Sequence, residues 1–83
     1  MHDLSLATEI VEIALSAASE SGASTITTVH IALDPTSHLD PSTLADAFEI
    51  AAAGTQAAAA TLEVAMESSG RGEIAVTAID VTP

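Results

Sequence analysis

The sequence predicts an α+β fold, a two-layer sandwich in which two helices cover one face of a three-stranded mixed sheet, in the order α-β-α-β-β. Three observations give that order. Two stretches repeat apolar residues every three or four positions, three others alternate them, and Gly, Pro and Asp break the chain between these runs. At 83 residues there is room for a single domain, residues 1–83, with one small core.

The first helix is expected over Leu4–Glu20. Leu6, Ala7, Ile10, Val11, Ala14, Ala17 and Ala18 fall on one side, while Ser5, Glu9, Glu12, Ser16 and Ser19 take the other. Asp3 or Ser5 is suited to cap its start, and Gly22 supplies the left-handed residue that commonly ends a helix. From Thr25 to Leu33 the period changes to two, with Val29, Ile31 and Leu33 on one face and Thr28, His30 and Ala32 on the other. Asp34-Pro35-Thr36-Ser37 ends this strand. Asp40-Pro41 then opens the second helix, whose inward stripe reads Leu44, Ala47, Phe48 and Ala51, and Gly54 terminates it.

Ala57–Ala59 reads as a connector and Ala60–Glu67 as the second strand. Ser68–Gly72 forms a short loop, and the third strand runs from Glu73 to Val81. Its apolar phase slips between Ile74/Val76 and Ile79/Val81, so a β-bulge near Thr77-Ala78 is needed to turn both pairs to the core. The first and second strands, joined through a helix, should run parallel. The second and third, joined by a short loop, should form an antiparallel hairpin.

Composition excludes several functions. Arg71 is the single basic residue against twelve acidic ones, for a formal net charge of −11 and a pI near 4.1. Phosphate backbones and anionic membrane surfaces would be repelled, so neither nucleic acid nor membrane is an expected partner. No cysteine is present, which removes disulfides, thiolate zinc sites and cysteine nucleophiles. No apolar run is long enough to span a bilayer, and the opening residues lack the pattern of a secretory signal. The expected location is cytoplasmic. Neither a Gly-x-Ser-x-Gly motif nor a glycine-rich phosphate loop occurs, so the chain reads as a non-enzyme.

The residues with chemical promise are the first three. Met1-His2-Asp3 places a primary amine, an imidazole and two backbone amides within a few bonds of one another. Tetragonal nitrogen coordination favours nickel(II) or copper(II) over zinc, whose preference is tetrahedral. Amide nitrogens bind only after losing their protons, so affinity for the ion should climb with pH.

Met1-His2-Asp3-Leu4-Ser5-Leu6 resembles the start of the HypA/HybF family, the nickel metallochaperones of [NiFe]-hydrogenase maturation, which open Met-His-Glu-Leu-Ser. The similarity continues through Pro41, Leu44, Ala47-Phe48-Glu49, Gly54-Thr55 and Ala60-Thr61-Leu62-Glu63-Val64. It resumes at Glu73–Val81, phase slip included. The resemblance implies a nickel(II) site at Met1, His2 and Asp3, using the amine, the His2 ring and the amides of His2 and Asp3. It also implies the GTPase HypB and a hydrogenase large-subunit precursor as partners, with urease as the recipient for some members. Two departures stand out. Asp3 replaces the family's usual glutamate, and Ser68–Gly72 stands where the family carries a zinc domain built on Cys-x-x-Cys pairs, so no structural zinc is expected.

The remaining candidates have plainer readings. His30 faces solvent or a partner, and His38 sits in the loop before the second helix; a site shared by His2 and His38 requires the N-terminus to fold over that loop. Glu9 and Glu12 form an adjacent pair on a solvated helix face. A competing reading of the whole chain is a metal-free interaction module that keeps the scaffold and docks on a hydrogenase precursor. Exposed sheet edges would also permit self-association into a homo-oligomer.

Overall fold

The computed structural model describes residues 2–37, 39–67 and 74–83, and of His2 the backbone only. The elements follow in the order α1 (His2–Ser21), β1 (Thr25–Leu33), α2 (Pro41–Ala52), β2 (Thr61–Met66) and β3 (Ile74–Thr82), with a 3-10 turn at Pro35–Ser37. This is the two-helix, three-strand mixed α+β architecture expected from the sequence.

α1 starts two residues earlier than its apolar period indicates. Asp3 and Ser5 therefore lie inside the helix and do not cap it; Asp3 is the acidic residue of the first turn, where the positive pole of the helix dipole favours a carboxylate. At the other end Gly22 has φ +74°. Its N–H donates to the Ser19 carbonyl at 3.2 Å and the Ala23 N–H to the Ala18 carbonyl at 3.0 Å, the paired bonds of a Schellman ending.

α2 begins as expected. The Asp40 carboxylate accepts from the Ser42 N–H at 3.0 Å and from the Thr43 hydroxyl at 3.2 Å. Its buried stripe is Leu44, Ala47, Phe48 and Ala52, with Ala51 only half-buried. Gly54 acts one step later than a helix cap. Ala53 at φ −55°, ψ 132° and Gly54 at φ +78° form a tight turn closed by Thr55 N–H donating to the Ala52 carbonyl at 3.0 Å. Glycine is needed there for its positive φ. In the connector that follows, Ala57 is fully buried and the Gln56 carbonyl accepts from Ile26 N–H at 3.1 Å.

The sheet order is β2-β1-β3. β1 pairs parallel with β2 and antiparallel with β3, so the expected β2–β3 hairpin does not form. β1 is the strand with most fully buried side chains and takes the centre, whereas β2 and β3 are at best half-buried and take the edges. β2 and β3 therefore lie two strand spacings apart, about 9.6 Å, on either side of β1.

Two bulges keep the apolar side chains in phase. His30 pairs with Ala78 and Ile31 with Val76, leaving Thr77 as the extra residue where a bulge was expected. A second shift leaves Thr27 extra on β1, between the pairs Ile26–Val81 and Thr28–Asp80. With both, Ile26, Val29, Ile31 and Leu33 lie opposite Val81, Ile79, Val76 and Ile74. The core joins Ile26, Val29 and Ile31 to Ala7, Ile10, Val11, Ala14 and Ala18 of α1 and to Leu44, Phe48 and Ala52 of α2. Both helices thus bury their apolar sides against one face of the sheet. Phe48, the only aromatic residue, is 2% exposed. Phe48→Ala is expected to lower the free energy of unfolding by about 3–5 kcal/mol. Removing the α2 cap with Asp40→Ala should cost about 1 kcal/mol. Urea denaturation followed by circular dichroism checks both.

Candidate metal centre

Two of the three candidate ligand residues lie where α1 begins. His2 is the first residue of α1 and Asp3 lies in its first turn, half-buried. Met1 and the His2 ring lie outside the described residues, so the structure addresses this set through the backbone of His2 and Asp3. The first four N–H groups of any α-helix have no intrahelical acceptor, and those of His2 and Asp3 are among them. Neither nitrogen is therefore engaged in the helical ladder. The helix itself, however, aims its N–H groups side by side along the axis, about 100° apart around it, so they do not converge on one ion.

The turn Gly22–Ser24 reverses the chain, so β1 runs back along α1. The 20 residues of α1 and the 9 of β1 have matching lengths, each about 30 Å. The start of α1 therefore comes level with the end of β1, where Leu33 pairs with Met66 and Ile74 and its carbonyl accepts from Glu67 N–H at 3.0 Å. Asp34 follows directly. Its carboxylate accepts from the backbone N–H of Thr36 at 2.9 Å and from the Thr36 hydroxyl at 2.8 Å. These bonds, the backbone one foremost, hold its pKa below the ordinary value of 3.8.

The other candidates stand apart from this set. His30 lies in mid-strand on the sheet face away from the helices, as expected, and its Nε2 is 2.9 Å from the Asp80 carboxylate. Counted from the bulge at Thr77, the parity of Asp80 places it on the His30 side. Both groups are exposed, 38% and 60%, and such a pair contributes little to stability. His38 lies outside the described residues. Glu9 and Glu12 are exposed on the outer side of α1 around Ile13, with Glu20 a further two turns on. Among the described residues no group of three or more His, Asp or Glu side chains could hold a metal, and no helix is long and apolar enough to cross a membrane.

The fold defines the class: a small acidic α+β domain in which two helices cover one face of a three-stranded mixed sheet. The chain belongs to the HypA family, described as hydrogenase/urease nickel incorporation metallochaperones, whose family model matches residues 1–71. Members of that family are metal carriers and maturation factors, not enzymes. A hydrogenase maturation factor HypA from Roseiflexus sp. is 41% identical over 64 residues, covering 77% of this chain and 52% of the relative. That of Rhizobium leguminosarum bv. viciae is 34% identical over 64 residues, covering 77% and 57%. The chain thus spans about half the length of the curated relatives it matches. The solution structure of a HypA protein superposes with a TM-score of 0.69 at 21% identity, over 96% of this chain and 73% of that one, a likeness of fold.

The Asp34 turn at this end of the molecule gives a direct pH test. A carboxyl whose folded pKa is depressed adds stability above its unfolded pKa, and that contribution is lost as pH falls through the folded value. Carbon-detected NMR titration should show Asp34 protonating below 3.8, and Thr36→Val should move its midpoint upward.

Proposed function

We propose that this chain is a nickel(II) carrier of hydrogenase maturation that takes the ion at the start of α1. The donors are drawn from the Met1 amine, the His2 ring and the backbone nitrogens of His2 and Asp3. One observation carries the reading: α1 begins at His2, so the amides a planar nitrogen set needs are the ones the helix leaves unbonded. Membership of a nickel-incorporation family, with a match that includes residues 1–3, supports the choice of metal. The GTPase HypB and a hydrogenase large-subunit precursor are the proposed partners, by family resemblance, and the cytoplasm the proposed location. Residues 1–83 act as the nickel-binding domain; 68–72 lie outside the described residues and replace the family's zinc domain, with no cysteine to hold zinc.

An ion at the chain start is open to solvent, which a carrier needs, because an incoming ligand must reach the metal for transfer. Binding also has a structural consequence. Two consecutive amides can share a square plane only if the N–Cα–C–N torsion at His2 is close to flat, whereas a helix holds ψ at about −42°. The first turn of α1 must unwind to load nickel.

Nickel titration into protein with its native N-terminus should give a yellow, planar d–d absorption at one ion per chain. Lengthening the N-terminus together with His2→Ala should abolish it. A metal-free docking scaffold would show no stoichiometric uptake in the unmodified protein. In the loaded protein, Cα chemical shifts at His2, Asp3 and Leu4 should lose their helical values while those from Ile10 to Ala18 keep theirs.

A further inference from the structure

We propose that the outer edge of β2 is a docking site for an extended, basic segment of a partner protein, which adds to the sheet as a further strand beside α2. The inference is independent of the metal reading. β2 pairs with β1 through six consecutive parallel partners, from Thr28–Thr61 to Leu33–Met66, without a bulge. The Glu67 N–H donates to the Leu33 carbonyl at 3.0 Å, which fixes the phase of this ladder. Backbone groups alternate in direction along a strand. Those of Thr61, Glu63 and Ala65 therefore face β1, and the N–H and C=O of Leu62, Val64 and Met66 face outward. Among the described residues no strand covers them. The opposite edge, β3, is interrupted by the bulge at Thr77, a device that discourages pairing. β2 contains neither a bulge nor a proline.

A groove runs beside that edge. It holds about 380 Å³ between α2 and the start of β2, with Ala45, Phe48 and Glu49 on one side and Ala60 and Leu62 on the other. Ala45, Phe48 and Glu49 stand at i, i+3 and i+4, on one face of α2. Leu62 and Val64 are half-buried on the helix side of the sheet, opposite Val29 and Ile31. A strand laid against them directs every second side chain to that same side. The one beside Leu62 enters the groove, where the short side chains of Ala45 and Ala60 leave it room. The intervening side chain lies on the bare face beside Glu63. Backbone bonds then supply affinity and the groove supplies selection. Charge decides the occupant. Glu49, Glu63 and Glu67 flank the edge, all exposed, in a chain with twelve acidic residues and one basic one. A second copy would set these carboxylates against their own counterparts. A segment that alternates apolar with basic residues satisfies both faces at once.

The probe is a blocked peptide alternating valine and lysine, long enough to span β2, with glutamate in place of lysine as its control. In an NMR titration at low salt the lysine peptide should slow amide exchange at Leu62, Val64 and Met66. Thr61, Glu63 and Ala65, already bonded to β1, should change little. Val64→Pro removes one outward donor, and proline is tolerated on an edge whose N–H faces solvent. It should weaken binding about fivefold, the worth of one net hydrogen bond. Joint Glu49→Lys and Glu63→Lys substitution alters exposed side chains only. It should weaken binding of the lysine peptide and admit the glutamate one, and it tests the site even where the proline variant does not fold. Circular dichroism confirms a common fold. Protection confined to the three outward amides, lost with the glutamate peptide, supports the docking edge. The proposal is overturned if the lysine peptide protects none of them, if the glutamate peptide binds the unmodified protein equally well, or if the charge-reversed protein binds the lysine peptide undiminished. Protection of the same amides that appears without peptide and grows with protein concentration assigns the edge to a second copy, and overturns it too.

Discussion

β1 carries the fold because it is bonded on both sides and packed beneath both helices. β2 and β3 do not touch one another through a ladder; each is held in the sheet by β1 alone. The core residues Ile26, Val29 and Ile31 provide the floor on which α1 and α2 meet. Apart from Phe48, the one aromatic residue, the core is built from small apolar side chains that each contribute modestly. Its alanines compensate by letting elements approach closely: Ala7, Ala14 and Ala18 are wholly buried on α1, as are Ala52 and Ala57 beyond them. The floor works only because two bulges on facing strands, at Thr27 and Thr77, return the apolar residues to a common side. The threonine side chains also tie the irregular ladder, Thr27 donating to the Asp80 carbonyl and Thr77 to that of His30.

Much of this architecture is legible in the sequence, for identifiable reasons. The 3.6-residue period of α1, the Asp40-Pro41 start of α2 and the alternation of β1 are local signals, and local hydrogen bonding enforces each. The slip at Thr77 was readable because Ile74/Val76 and Ile79/Val81 cannot face one side without it. Its counterpart at Thr27 was not, since Ile26 alone stands out of phase and a single residue makes no pattern. Strand order was also hidden. A short loop is compatible with a hairpin, but equally with a step across one intervening strand, and periodicity does not distinguish them. What decides is depth of burial: Ile31, Ala32 and Leu33 are all buried, which requires neighbours on both edges.

The candidate site was legible as a list of donors but not as a geometry. Met1-His2-Asp3 names the nitrogens, yet the sequence pattern starts α1 at Leu4 and would leave those residues free of secondary structure. The helix instead extends to His2. First-turn N–H groups need no partner and Asp3 carries the charge favoured at that end, so nothing opposes the extra residues. The Asp80 partner of His30 was hidden for another reason, since it depends on the register between strands fifty residues apart.

That extension gives the proposed carrier a means of release. A helical first turn and a square-planar ion make incompatible demands on the same backbone, and the positive pole of a formed helix also opposes a cation placed there. Under the proposed function the two states are therefore linked, and linkage is reciprocal: nickel disfavours the first turn by the same free energy with which the formed turn disfavours nickel. A partner that binds the helical form of residues 2–5 would lower affinity for the ion without touching it, and one that holds those residues extended would raise it. Loading and unloading then need no motion of the sheet or of the packed part of α1. The buried residues nearest the site, Ala7 and Ile10, lie beyond the turn that must open, so the core is not charged with the cost of the exchange.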